Sequence, residues 1–141
     1  MSFLLDTNVI SESARPAPDA RVMAWLAEVS EDQLFLSVVS LAELRRGVER
    51  LAPGRRRSEL ERWVIDALPA RFANRLLPID AATADQWGRI VARAQGAGRP
   101  LGAMDAFLAA TAVQHDLVLA TRNGSDFHAA GAKLFDPWLG A

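Results

Sequence analysis

Three carboxylates occupy positions where a folded chain normally places apolar side chains. Asp6 follows an apolar run at positions 3–5, and Glu43 lies among Val, Leu and Ala residues. Asp105 is the only charged residue between positions 101 and 113. A buried carboxylate without a partner costs several kcal/mol or takes up a proton. Three such positions therefore predict a shared counter-ion, and a divalent cation held by carboxylate oxygens fits best.

The composition restricts which metal this would be. The 141 residues contain no Cys, which excludes disulfides, thiolate metal sites and thiol nucleophiles. Only two His residues are present, so histidine-based zinc chemistry has little support. Oxygen ligands alone indicate Mg²⁺, with Mn²⁺ as a second possibility.

Each of the three acids also has a structural interpretation. Asp6-Thr7-Asn8 could cap a helix that begins near Val9, because all three residue types are favoured caps. The segment 40–43 reads Ser-Leu-Ala-Glu, a capping box in which Glu43 would reach back to the first amide. Asp105 would favour a helix N-terminus through the helix dipole. Three polar residues directly after a buried strand favour function for the first group, and a carboxylate with two oxygens allows Glu43 both roles.

A further polar segment lies at positions 120–127. Its candidate site residues are Thr121, Asn123 and Asp126. They could supply a fourth oxygen ligand or hold a water molecule. The alternative is an ordinary turn, which the Asn-Gly pair at 123–124 also favours.

Short apolar runs alternate with longer amphipathic segments along the chain. The pattern predicts strands at 3–5, 34–36, 76–79, 117–120 and 133–135. It predicts helices at 19–29, 41–51, 57–73, 82–97 and 103–115. Such alternation indicates one α/β domain over 1–141, with a mostly parallel sheet covered by helices on both faces.

Ligands of such sheets bind at the carboxyl ends of the strands. Asp6 lies just past the first predicted strand, and Asn123 and Asp126 follow the fourth. Glu43 and Asp105 fall in the first turns of predicted helices, which can point to the same edge. We therefore expect the acids to converge although they are distant in sequence.

The charge distribution is uneven although the net charge is only −1. Seven Arg residues lie between positions 45 and 62, against three Glu residues. This stretch is interpreted either as a solvated helix surface or as a face that contacts phosphate or a partner protein. Without a bilayer-length apolar run or a secretory signal, the chain is expected to be cytoplasmic.

Several segments together resemble the PIN domains, specifically the VapC/FitB-like toxins of type II toxin–antitoxin systems. The similar segments are LLDTNVISE at 4–12, SVVSLAELRRG at 37–47, LLPID at 76–80, MDAFLAATA at 104–112 and LATRN at 119–123. The tail FDPW at 135–138 is similar to the FitB branch. Each motif alone is loose, but their number and order over nearly the whole chain make the resemblance specific.

The resemblance implies a three-layer α/β/α fold with a short, mostly parallel sheet, and Mg²⁺- or Mn²⁺-dependent endonucleolytic cleavage of RNA. The metal-binding acids of the family map onto Asp6, Glu43 and Asp105. Its fourth acidic position falls on Asn123, which is a departure, and Asp126 could compensate for it. Thr7, Asn8, Thr121, Asn123 and Asp126 are expected to position substrate or water.

The resemblance also implies partners. Family members pair with an antitoxin protein that carries a DNA-binding domain, as a homodimer or a dimer of heterodimers, without a membrane. One alternative is a catalytically weak PIN-like module that binds RNA or a partner. A second is a receiver-like phosphoacceptor domain, which normally needs an acidic pair after the first strand and a nearby lysine. Asp6 stands alone there and Lys133 is the only lysine, so this alternative has little support.

Overall fold

The computed structural model describes residues 1–140, which form a five-stranded sheet in which every strand pair is parallel. The strands are β1 (Phe3–Leu5), β2 (Leu34–Ser37), β3 (Leu76–Leu77), β4 (Val118–Ala120) and β5 (Leu134–Phe135). Their order across the sheet is β3-β2-β1-β4-β5. The five predicted strands are confirmed, with β3, β4 and β5 each shorter than expected.

Seven helices connect and cover the strands: α1 (Thr7–Glu12), α2 (Ala20–Glu28), α3 (Val38–Glu49), α4 (Arg55–Arg62), α5 (Leu68–Arg71), α6 (Ala81–Gly96) and α7 (Ala103–Gln114). A π-helical turn, Trp63–Ala67, joins α4 to α5, and 3₁₀ turns span Glu31–Gln33 and Gly124–Ala130. The predicted helix 57–73 is therefore three joined elements. Within residues 1–140, no helix combines the length and apolar character that a bilayer crossing requires.

Both faces of the sheet are buried, as the three-layer prediction required. Along β1, Phe3 and Leu5 belong to one apolar cluster, which they share with residues of α1, α2 and α5. Leu4, between them, belongs to the opposite cluster with residues of α6 and α7. Parallel strands buried on both sides read as continuous apolar runs rather than alternating ones. The fold is the expected three-layer α/β/α arrangement.

The order of the strands creates a switch point between β1 and β4. From β1 the chain builds towards β2 and β3 on one side, whereas β4 and β5 extend the other side. Leu5 pairs with Ala120, and the amide of Asp6 donates to the Ala120 carbonyl at 2.9 Å. Asp6 and Thr121 therefore directly follow the ends of the adjacent strands β1 and β4. They lie side by side at the edge where such sheets bind ligands.

The start of α3 differs from the prediction. The helix begins at Val38, and Ser37 caps it by accepting a hydrogen bond from the Val39 amide at 3.0 Å. Ser40 is thus inside the helix, so the predicted capping box is wrong and Glu43 lies in the second turn rather than the first. The reason is that β2 passes into α3 without a loop, so the hydroxyl of Ser37, the last residue of the strand, reaches the free amides. The predicted position of Asp105 in the first turn of α7 is confirmed.

Candidate active site

Asp6 lies at the carboxyl end of β1 and is only 6% exposed. Its Oδ1 accepts a hydrogen bond from the Thr7 amide at 2.6 Å, and its Oδ2 accepts one from Thr121 Oγ1 at 2.7 Å. Burial raises the pKa of Asp6 to about 6, although the Thr121 and Thr7 hydrogen bonds lower it. The charges of Asp105 and Glu43 raise it further. The side chain is held firmly, but its negative charge is not compensated.

Thr121 is a rigid support for Asp6. The side chain is fully buried, and its backbone amide donates to the Phe135 carbonyl at 2.9 Å, which ties it to the end of β5. Its hydroxyl accepts a hydrogen bond from the Asn123 amide at 3.0 Å while it donates to Asp6. Because an ionised carboxylate and a backbone amide can only accept and only donate, respectively, the single hydroxyl proton of Thr121 is directed at Asp6.

Glu43 reaches the site from α3 and is linked to it by a hydroxyl. Thr7 Oγ1 lies 2.8 Å from Glu43 Oε1 and 3.2 Å from the buried Ser40 Oγ. Because a hydroxyl has a single proton, Thr7 can donate to the carboxylate while Ser40 donates to Thr7. Thr7 thus connects to both acids, through its amide to Asp6 and through its hydroxyl to Glu43.

Asp105 enters from the first turn of α7 and is half-buried. Burial raises the pKa of this carboxyl group, and the charges of Glu43 and then Asp126 raise it further. Within residues 1–140 it accepts no hydrogen bond, so both oxygens remain available to a ligand. It lines an open cavity of about 310 Å³ together with Asp126 and Ser125.

The three acids influence one another but do not form a ready-made metal cage. In the part of the chain that the structure describes, no Arg, Lys or His nitrogen lies within 4.0 Å of a carboxylate oxygen of Asp6, Glu43 or Asp105. Over the same residues, no three His, Asp or Glu side chains converge closely enough to enclose a metal ion. The donor set is all oxygen and electrostatically coupled. It fits a hydrated Mg²⁺, which keeps several of its waters and needs few direct protein ligands.

The residues of the polar turn after β4 contribute to the site in different ways. The Asn123 side chain is exposed and forms no hydrogen bond within residues 1–140, whereas its backbone amide supports Thr121. Asp126 is the residue whose charge acts on Asp105. Asn8 Oδ1 accepts a hydrogen bond from the Arg122 amide at 3.4 Å. Of the polar residues in this turn, Asp126 is the one that adds negative charge near the acidic group.

Two neighbours of the site were not identified from the sequence. Ser40 was interpreted as a helix cap, but its three-residue spacing from Glu43 places both on one helix face, which could have indicated their contact with Thr7. Arg99, which follows α6, lines the cavity of Asp105. No local sequence signal pointed to that contact.

Three of the seven arginines in the arginine-rich segment form ion pairs with its glutamates. Arg45 pairs with Glu49 at 2.6 Å and with Glu61 at 3.1 Å, and Arg57 pairs with Glu49 at 2.9 Å. We call these four residues the Arg–Glu network. All are at least partly exposed, which favours the interpretation of this stretch as a solvated helix surface.

Comparisons with known proteins agree with this geometry. A model of the PIN domain family matches residues 3–133. Toxin FitB of Neisseria gonorrhoeae is 42% identical over 96% of this chain and 98% of its own length. VapC ribonuclease Y4jK of Sinorhizobium fredii is 40% identical over 96% of this chain and 97% of its own.

Solved structures show the same relationship. The crystal structure of FitAcB from Neisseria gonorrhoeae superposes with a TM-score of 0.91 at 41% identity, covering 96% of this chain and 98% of that one. The structure of FitAB bound to an IR36 DNA fragment gives a TM-score of 0.90 at 40% identity, covering 96% and 95%. Sequence, fold and the acidic switch point agree, and the chain belongs to the PIN domain family, among its VapC/FitB-like toxins.

Proposed function

We propose that this protein is a Mg²⁺-dependent ribonuclease that hydrolyses RNA endonucleolytically as the toxin of a type II toxin–antitoxin pair. The observation that carries the proposal is the group formed by Asp6, Glu43 and Asp105, whose charges meet at the switch point without a cation from the protein. The name of the 40% identical relative, VapC ribonuclease Y4jK, supports the nuclease assignment.

Each of the three acids has its own role in this proposal. Asp6 and Asp105 hold the dication directly or through water, and Glu43 is a further ligand or the base that orients the attacking water. Mg²⁺, or Mn²⁺ in its place, polarises a phosphoryl oxygen and lowers the pKa of bound water. It also removes the repulsion that an all-acidic site would exert on an anionic phosphodiester.

The remaining polar residues position the reactants. Thr121 fixes the orientation of Asp6, and Thr7 fixes that of Glu43 through its 2.8 Å hydrogen bond. Asn8, Asn123 and Asp126 border the site and hold water or the phosphate. In the reaction a water oxygen would bond to phosphorus while its proton passes to Glu43, the bond from phosphorus to the leaving ribose oxygen would break, and that oxygen would take a proton from solvent water.

The same relatives support the inference that this protein has a protein partner. Structures that match over nearly the whole chain include those of FitAcB and of FitAB bound to DNA. We therefore assign to this toxin an antitoxin with a DNA-binding domain, and an assembly that is a homodimer or a dimer of heterodimers. The toxin acts as one domain over 1–141 in the cytoplasm.

Cleavage of RNA by the purified chain tests the proposal. We expect fragments from a mixture of transfer, ribosomal and messenger RNA in the presence of Mg²⁺, none in excess EDTA, and none from Asp6→Asn. Asp66→Asn, a substitution of an exposed aspartate on the π-helical turn, is the matched control and should cleave normally. Normal turnover by Asp6→Asn, or turnover in EDTA, would contradict the mechanism.

The second candidate is a PIN-like module that binds RNA or a protein without cutting. Two observations favour it. The neutral side-chain amide of Asn123 stands at the fourth acidic position of the family. Within residues 1–140, the acidic side chains do not converge closely enough to enclose a metal ion. Sequencing the 5′ ends of RNA after induced expression distinguishes the two. New metal-dependent ends support the enzyme, whereas RNA retention with no new ends supports the binding module.

A further inference from the structure

The C-terminus of α6 places one arginine with a defined backbone geometry. Gly98 follows the helix in the left-handed conformation, with φ of +71°. Its amide donates to the Gln95 carbonyl at 3.1 Å, and the Arg99 amide donates to the Ala94 carbonyl at 2.9 Å. This pair of bonds is a Schellman motif, which ends a helix and fixes the direction of the chain after it. Arg99 is therefore held by its backbone and followed by Pro100.

Arg99 faces the cavity that contains Asp105. The cavity has a volume of about 310 Å³, and Arg99 lines it from one side. Asp105 lines it from α7, while Ser125 and Asp126 line it from the 3₁₀ turn after β4. The lining is thus polar and joins three segments that are distant in sequence.

The guanidinium of Arg99 is uncommitted. Within residues 1–140 it forms no ion pair and no side-chain hydrogen bond, although two carboxylates line the same cavity. An arginine beside acids that does not pair with them retains all five of its N–H donors for a ligand.

Three other arginines near the site are already engaged. Arg15 and Arg56 line the groove beside Glu43, but Arg15 pairs with Glu12 at 3.2 Å and Arg56 donates to a backbone carbonyl. Arg122, which follows Thr121, stacks over the ring of Trp138 at 5.0 Å. Among these arginines close to the acids, Arg99 is the one available to an anion.

We propose that Arg99 binds a backbone phosphate of the RNA substrate beside Asp105. The inference rests on the proposed ribonuclease function and deepens it by naming a substrate-binding residue. A guanidinium presents paired donors that match two phosphate oxygens, and its positive charge offsets the repulsion between the phosphate and the acids. The contact is made by the ground state as well as by the transition state, so its loss raises KM more than it lowers kcat.

The test compares Arg99→Ala with Arg93→Ala. Arg93 is an exposed residue in the last turns of α6, shortly before Arg99, and it forms no side-chain hydrogen bond or ion pair within residues 1–140, so it is the matched control. Binding of a fluorescent single-stranded oligoribonucleotide is measured with Mg²⁺ over a range of KCl concentrations, with Asp6→Asn in every protein to prevent cleavage. We expect Arg99→Ala to bind roughly fivefold more weakly and to lower the salt slope by about 0.7, the value for one phosphate contact.

Arg99→Lys separates charge from geometry and serves also if Arg99→Ala does not fold. It should keep the salt slope but bind more weakly than arginine, because an ammonium does not form the paired contact. KM and kcat for cleavage are compared in proteins that carry wild-type Asp6. An unchanged salt slope in Arg99→Ala, or unchanged affinity in Arg99→Lys where the alanine variant does not fold, overturns this inference and, with normal cleavage by the wild type, leaves the ribonuclease intact. A wild type that neither cleaves nor binds RNA overturns both.

Discussion

The acidic group at the switch point and the Arg–Glu network on α3 and α4 balance their charges in opposite ways. Asp6, Glu43 and Asp105 have no cationic group within 4.0 Å in the described chain, and the pKa values of Asp6 and Asp105 are raised. In the network, Arg45 alone contacts two glutamates, at 2.6 and 3.1 Å. One region leaves negative charge uncompensated, whereas the other neutralises itself.

The difference indicates where the protein accepts a cost in stability. Exposed ion pairs such as those of the Arg–Glu network contribute little, because water and salt screen them. Uncompensated acids near a buried edge oppose folding. Departures from local consistency of this kind are concentrated at functional sites. A ligand that brings positive charge accounts for the acidic group, and no ligand is needed to account for the network.

The largest expected contrast is in catalysis. Asp105→Asn keeps the size of the side chain but removes its charge, and it should lower the single-turnover cleavage rate by roughly a thousandfold or more, because metal-assisted charge stabilisation is lost. Arg45→Ala, in the network, should change the rate by less than about twofold. Comparable losses in the two variants would show that the charge imbalance does not mark the active site.

The next contrast is in stability, and its sign is unusual. In EDTA at pH 7, Asp6→Asn should raise the free energy of unfolding by roughly 1–3 kcal/mol, since the folded state must bury a carboxylate whose pKa is raised to about 6. The folded state binds more protons than the unfolded state between about pH 4 and 6. The contribution of Asp6 to the stability of the wild type therefore falls as pH rises through that window. Below about pH 4, Asp6→Asn should no longer be more stable than the wild type.

Urea denaturation at about pH 7 and below about pH 4 measures the difference in the free energy of unfolding between Asp6→Asn and the wild type. Asp66→Asn is the control, and as an exposed substitution it should stay within about 0.5 kcal/mol of the wild type at both. A destabilised Asp6→Asn at pH 7 would mean that the hydrogen bonds from Thr7 and Thr121 outweigh the cost of burial.

Metal binding should compensate the negative charge of the acidic group and so raise the stability of the folded state by a moderate amount. Mg²⁺ at ten times its Kd should stabilise the folded wild type by about 1.4 kcal/mol, because it binds the folded state alone. Thermal unfolding with and without Mg²⁺ measures the shift. Arg45→Ala should retain the shift and Asp105→Asn should lose most of it. An equal shift in all three proteins would place the bound metal elsewhere.

The smallest effect belongs to the network. Arg45→Ala should lower the free energy of unfolding by roughly 0.2–1 kcal/mol in low salt, the range for exposed ion pairs. The loss should shrink in high salt, because the wild-type pairs are then screened. Urea titrations at two KCl concentrations give the comparison, and a salt-independent loss would indicate that the stem of Arg45 packs against its neighbours instead.

Local patterns were sufficient where one interaction dominates. The apolar runs that became β1, β2 and β4, the amphipathic segment that became α6 and the mostly apolar segment that became α7 were located within a few residues, because burial of apolar side chains determines all of them. The prediction failed where two local signals compete. Ser37 and Ser40 are both good caps, and the direct passage of β2 into α3 decided between them.

The segment 57–73 shows a second such limit. It was predicted as one helix, but Pro69 lacks the amide that a regular turn would use. The chain accommodates this with the π-helical turn, in which the Leu68 amide bonds to the Trp63 carbonyl. Helical periodicity alone does not reveal how the chain satisfies its backbone around a proline.

Residue types and spacing alone were enough to nominate Asp6, Glu43 and Asp105, because a carboxylate in an apolar setting requires an explanation at any position. Their metal-binding role and the single domain over 1–141 stay predictions. The contacts that organise the site depend on the arrangement of the strands: Thr121 reaches Asp6 across 115 positions only because β4 lies beside β1. Short-range patterns specify helices and strands, whereas the meeting of their ends, including that of Arg99 with Asp105, follows from how those elements pack.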